Sequence, residues 1–238
     1  EDVTMDPLFF ELNTQLGIPL TLEDRRLASQ TDCPINQNMQ ITYVAEQIGK
    51  VILWVPEPLA KLMETVDGID HVITQYSPST QFDVHIPLMS LPGVFQDSLE
   101  SIPTSTPYLG PSSLCGKIHP IKKIGISWAG SGNQPLDRRS VPFEQFRPLI
   151  QDDSIQWHNL QYDTPTPSGL IDHGTEMTNF AATADVIDSL DLIITIDSAI
   201  AHLAGAMGKP VWIILNFAAD WRWGLDKDRT PWYPSAQL

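Results

Sequence analysis

The stretch Asp191–Leu215, DLIITIDSAIAHLAGAMGKPVWIIL, decides the fold. Leu192–Ile196 is short, apolar and rich in isoleucine, which suits a parallel strand buried on both faces. Asp197-Ser198-Ala199 reads as a tight turn, with Asp197 or Ser198 as the N-cap of a helix over Ile200–Met207. Ala201, Ala204, Gly205 and Ala206 let that helix pack closely on a sheet. Gly208 supplies the C-terminal cap and Pro210 stops the helix. Val211–Leu215 reads as a second buried strand.

The unit is therefore βαβ, with a polar turn at the carboxyl end of a strand, the edge where open α/β sheets bind ligands. Free N–H groups and the helix dipole favour an anion such as phosphate there. His202 lies one helical turn after Ser198, on the same face. The bland alternative is a plain βαβ unit with a surface histidine.

Working outward, the 238 residues suit two small domains or one large one. A hydrophobic content of 42% with 18% charged residues fits a globular chain with a substantial core. The net charge of -15 argues against nucleic acid or an anionic membrane as main partner, since both require basic patches. Cys33 and Cys115 are far apart and in no metal-like spacing, which points to a reduced, cytoplasmic setting without structural zinc. No apolar run is long enough to span a bilayer. The chain starts at Glu1 and closes at Leu238 without a terminating element, as a fragment of a longer protein would.

Residues 1–30 read as a helical lead-in, with helices over 6–16 and from Thr21 to Ala28. Residues 31–115 read as a first Rossmann-like domain. It has a helix over Met39–Ile48, a strand over Lys50–Val55, a helix from Pro58 to Val66, and strands over Ile69–Thr74 and Phe82–Ile86. Leu109–Pro120 is rich in Gly, Pro and Ser and reads as a linker. Residues 116–238 form the second domain. A strand over Lys123–Trp128 is followed by the loop Ala129–Arg139 and a helix capped by Ser140. A strand over Ile155–Gln161 and a helix capped by Thr178 or Asn179 lead into the central unit. Asp185 and Asp188 on that helix read as a solvated face and not as a metal site. The tail, with Trp221, Trp223, Trp232 and Tyr233, either packs on the last strand or walls a cleft.

The loop after the first strand of the second domain is a further candidate site. Gly130, Ser131, Gly132 and Asn133 allow backbone to approach a ligand closely. Arg138 and Arg139 can grip phosphate oxygens bidentately. The loop has no third glycine of a GxGxxG signature and no GK[ST], which argues against dinucleotide-dehydrogenase and P-loop readings.

The segments Ile124–Ser140 (IGISWAGSGNQPLDRRS), Trp157–Gln161 (WHNLQ), Glu176–Leu215 and Asp220–Leu238 resemble the C-terminal domain of heptosyltransferase-like (family 9) glycosyltransferases. They are closer still to bacterial relatives associated with tetratricopeptide repeats. Phe82–Phe95 and Ser101–Leu109 resemble the first half of those proteins. The resemblance implies a GT-B fold, two Rossmann-like domains facing a cleft, and metal-independent transfer of a sugar from a nucleotide-diphosphate donor to a protein or glycan acceptor. No cofactor is implied beyond the donor, which is substrate. Asp197, Ser198 and Ala199 stand where the family's D-[ST]-[GA] turn meets the donor, and His202 matches that motif's histidine. Arg138 or Arg139 takes the place of the basic residue on the diphosphate, next to Ser131. Trp128, Gly130, Gln161 and Glu176, within the matching segments, are the candidates for the nucleotide and sugar pocket.

One departure bears on catalysis. Relatives usually open the first helix with G-[LM]-G-D-T-[IL]-Q-F, whose Asp is the proposed base. Here the region reads TDCPINQNMQITYV (Thr31–Val44). Transfer to a hydroxyl needs a proton acceptor, and His85 at the end of the FDVHI strand is the best substitute, with Asp197 as the other catalytic candidate. Two rival functions follow: a nucleotide-sugar-binding or scaffolding domain that has lost its base, and a GT-B-fold nucleotide-sugar epimerase.

Overall fold

A computed structural model describes residues 50–238, apart from positions within 76–104 and residues 110–121, 131–137, 163 and 225–227. The lead-in, the helix expected over Met39–Ile48, the Thr31–Val44 segment, Ser131 and nearly all of the expected linker lie outside the described residues. The molecule is α/β, with parallel sheets.

Two compact units are present. The first contains β1 (Ile52–Trp54) and β2 (His71–Ile73), which pair in parallel. The second contains residues 56–66 and everything from Thr104 onward. Helix α1 (Glu57–Met63), expected in the first domain, thus belongs to the second unit and packs on α2 (Phe180–Asp188). Its apolar residues Leu59, Leu62 and Met63 recur at helical spacing and are buried. Pro56 and Pro58 fix where it starts, as Pro is tolerated in the first turn.

The second unit is built on a six-stranded, all-parallel sheet of order β5-β4-β3-β6-β7-β8. The strands are β3 (Lys123–Ser127), β4 (Gln156–Asn159), β5 (Ile171–Asp172), β6 (Leu192–Ile196), β7 (Val211–Ile214) and β8 (Ala236–Gln237). β6 is buried along its whole length, as its isoleucine run requires. Asp191 ties the starts of the two central strands together: its carboxylate accepts from the backbone N–H groups of Lys122 and Lys123, both at 2.9 Å. The connection from β3 runs outward to β4 and that from β6 runs the other way to β7. The sheet therefore reverses direction between β3 and β6, and the loops after these two strands emerge side by side. Such a reversal leaves a crevice at the carboxyl ends of the strands.

Helix α3 (Ala199–Ala206) follows β6 and is buried from Ala201 to Ala206. It ends at Met207, and Gly208 takes φ +68, the left-handed conformation a glycine adopts without steric cost. Lys209 is buried, with its ammonium donating to the carbonyls of Asp188 and Leu190 and lying 3.3 Å from the Asp188 carboxylate. Asp188 is thus committed to an ion pair, while Asp185 is exposed.

Four expectations need correction. Phe82, His85 and Ile86 are not in a strand, and Asp83 and Val84 lie outside the described residues. The Phe82 and His85 rings meet edge-on at 5.7 Å, whereas residues three apart on a strand point to opposite faces. The helix expected after Ser140 is instead two short 3-10 turns, Phe143–Gln145 and Leu149–Gln151. Pro142 and Pro148 directly precede them, and a proline cannot donate an intrahelical hydrogen bond. β7 is only half buried: Val211 and Ile213 face the core, and Trp212 and Ile214 are exposed. Trp128 belongs to a core cluster with Ile124, Ile126, Trp157 and Phe143, its ring 4.8 Å from that of Phe143.

Candidate functional site

The crevice is framed by the turn after β6 and the loop after β3. Ser198 occupies the N-cap position of α3 with extended backbone, but its side chain makes no capping hydrogen bond. Its Oγ instead shares a hydrogen bond of 3.1 Å with Thr195 Oγ1. The serine is drawn back toward β6, so the N-cap side chain leaves the first amides of α3 uncapped.

The neck of the β3 loop is pinned. Val141 N–H donates to the Trp128 carbonyl at 2.8 Å, and Gly130 N–H donates to Ser140 Oγ at 3.0 Å. Gln161 is buried and does most of this work. Its Oε1 accepts from Trp128 N and Ala129 N, at 3.2 and 2.9 Å, and its Nε2 donates to the Ala129 carbonyl at 2.9 Å. Gln161 therefore supports the loop, and its amide is already occupied by protein. The result is delivery of Arg139 to the neighbouring turn: its Nη1 donates to the Asp197 carbonyl at 3.1 Å. Arg138 is exposed.

The tail folds onto α3 behind the turn. Trp223 and Tyr233 are buried at 1% exposure, against α3. His202 is also buried; its Nδ1 shares a hydrogen bond of 2.9 Å with the Tyr233 hydroxyl, and its ring stacks on Trp223 at 5.2 Å. Its Nε2 lies 4.0 Å from Asp197 Oδ1. His202 is thus not a surface histidine but a support behind the turn. Burial, followed by the nearby Arg222 guanidinium, lowers its pKa from 6.5 to about 3, so it is neutral. Burial pushes the Asp197 carboxyl above the ordinary carboxylate value and Asp220 adds to this. The Trp223 indole N–H, which falls short of hydrogen-bond geometry, acts the other way, as do Arg222 and Arg139.

Arg222 and Asp220 were not singled out from the sequence. Arg222 Nε lies 3.2 Å from Asp220 Oδ1, and the pair sits within electrostatic reach of Asp197. A charged pair inside an otherwise aromatic tail, DWRW, was the available signal.

Glu176 lies at another edge. It pairs with His173 at 3.1 Å, and His173 meets buried His158 at 2.8 Å. Burial, then His173, then Lys123, lowers the His158 pKa to about 4, with Asp191 opposing. His85 is exposed, in the first unit.

These histidines give a stability prediction. Unfolding restores His202 and His158 to a pKa near 6.5, so between pH 6.5 and about 4 the unfolded chain binds more protons than the folded one. Stability should therefore drop as pH is lowered through that window, by roughly 3–5 kcal/mol. Asp197 opposes this, since its raised pKa contributes stability at low pH that is lost as pH rises through the folded value. Urea unfolding at a series of pH values checks the net slope; a flat profile from pH 7 to 4 would contradict it.

The segment that builds the turn also carries the family signal. Residues 176–216 match the family model "Glycosyltransferase family 9 (heptosyltransferase)". That stretch runs from Glu176 through α2, β6, the Asp197 turn and α3 to the end of β7. The chain is also 28% identical over 138 residues to "Protein FlbA" of Caulobacter vibrioides, an alignment covering 51% of this chain and 22% of that protein. The chain thus spans about a fifth of that relative's length. No solved structure matches. The family match suggests a role in glycosyl transfer. Among the described residues, no helix is long and apolar enough to cross a membrane.

Proposed function

We propose that this chain is a glycosyltransferase of the GT-B type that takes a sugar from a nucleotide-diphosphate donor and passes it to a protein or glycan hydroxyl. One observation carries the reading: Arg139 is held against the Asp197 turn, at the open start of α3, in the crevice where the sheet reverses. A guanidinium and uncapped amides together stabilise the growing charge on a departing nucleoside diphosphate without a metal. In this scheme Arg139, Ser198 and Ala199 contact the diphosphate, with Ser131 and exposed Arg138 available from the same loop. Asp197 faces the sugar or orders the turn. Gly130 allows close approach, Gln161 and His202 act from behind, and His85 is the candidate base. Neither Trp128 nor Glu176 is assigned a ligand contact: the first is core, the second pairs with His173. The family match over the turn supports the same reading.

A binding-only domain is the second reading, favoured by the missing GDT-like segment at Thr31–Val44. Calorimetric screening against UDP-, GDP-, ADP- and CMP-sugars, followed by donor hydrolysis with wild type and His85→Ala, separates the two. Turnover by wild type, lost in His85→Ala, is the expected result. Tight donor binding without any turnover would favour the binding domain. Turnover unchanged in His85→Ala would remove His85 as base.

A further inference from the structure

Two buried titratable groups, Tyr233 and His202, and the Asp197 carboxyl are arranged in series near the crevice. Gly205 on α3 makes this possible: a Cβ there would stand 2.3 Å from Tyr233 Cγ, so the phenol ring lies directly against the helix backbone. That contact places the Tyr233 hydroxyl 2.9 Å from His202 Nδ1. Trp223 stacks on the imidazole face at 5.2 Å. His202 Nε2 is thereby aimed toward the Asp197 carboxyl, 4.0 Å away, whose side chain is 13% exposed.

We propose that Tyr233, His202 and Asp197 act as a unit, in which the phenol and imidazole position the carboxyl and the carboxyl takes up a proton when a diphosphate enters the turn. The inference rests on the diphosphate reading above. Tyr233 donates its O–H to Nδ1, which leaves the ring proton on Nε2 facing Asp197. Among the described residues the charged groups facing this carboxyl are Arg139 from the β3 loop, and Asp220 and Arg222 from the tail; His202 on α3 is neutral. With Asp197 ionised, two positive charges meet two negative ones. A diphosphate diester adds two more negative charges, which disfavours the carboxylate. A proton from solvent then binds a carboxyl oxygen of Asp197, and no covalent bond to the ligand forms or breaks. Tyr233 and His202 are positioning residues in this scheme.

The test uses UDP-, GDP- and ADP-glucose, whose phosphates do not titrate near neutral pH. Each is titrated calorimetrically into the whole chain, in two buffers of different ionisation enthalpy, at mildly acidic and at neutral pH. Wild type should take up a substantial fraction of a proton at mildly acidic pH and less at neutral pH. Asp197→Asn, nearly isosteric, should take up none. Tyr233→Phe should weaken binding about fivefold and shift the pH dependence of affinity, through loss of one buried hydrogen bond. Equal proton uptake in Asp197→Asn, or an unshifted pH profile in Tyr233→Phe, overturns this inference alone. No binding of any of the three sugars overturns the diphosphate reading and this inference with it.

Discussion

Arg139→Ala should weaken nucleoside-diphosphate binding roughly 30-fold while leaving nucleoside affinity within about twofold. A hydrogen bond from a charged donor contributes about 1.5–3 kcal/mol, and in the proposed complex the guanidinium meets the diphosphate and not the nucleoside. Arg139→Lys should recover part of the loss, because it restores the charge without the planar fork. The side chain also holds the Asp197 carbonyl, so the turn itself loosens in the alanine variant. Calorimetry with each nucleoside and its diphosphate distinguishes these contributions. Equal weakening of both ligands would show that Arg139 maintains the turn and does not contact phosphate.

Gly205→Ala should destabilise the fold by about 3 kcal/mol, although alanine is the better helix former. In an exposed helix the exchange gains up to about 1 kcal/mol. Here the new methyl would lie 2.3 to 2.7 Å from three atoms of the Tyr233 ring. The ring must move, and overpacking of this kind typically costs 1–3 kcal/mol or more. Moving the ring also withdraws the hydroxyl from His202. In a Tyr233→Leu background the penalty should shrink, since the two changes share one contact. Urea unfolding of the two single variants and the double variant measures the coupling. A Gly205→Ala protein as stable as wild type would contradict the packing.

Much of this fold can be read from the chain because its strongest signals are local. An isoleucine-rich run, a polar turn, a small-residue helix and a Gly-x-Pro stop gave β6, α3 and β7 within a residue or two. Of the two candidate caps, Thr178 and Asn179, it is Asn179 that caps α2, accepting from Ala182 N–H. The juxtaposition of the β3 and β6 loops follows from parallel topology, and the Arg139 contact places them together. What was not legible depends on contacts distant in sequence. The burial of His202 is set by Trp223 and Tyr233, which meet it only once the tail folds back over α3. A histidine one turn after a serine reads equally well as a surface residue. Gln161 looks like a pocket residue until its amide is found engaged with the β3 loop. FDVHI has the apolar–polar alternation of a strand, yet Phe82, His85 and Ile86 are not in one, so a local pattern does not decide this segment. Arg222 and Asp220 were hidden because aromatic residues dominate their segment.

The most direct test of the account is nuclear magnetic resonance of the isotope-labelled chain titrated with a nucleoside diphosphate and, separately, with its nucleoside. The diphosphate should shift the backbone amides of Ser198, Ala199 and Ile200 and the side-chain Nε–H of Arg139, and the nucleoside should leave all four in place. Shifts confined to other residues, or identical shifts with both ligands, would contradict a phosphate site at the start of α3.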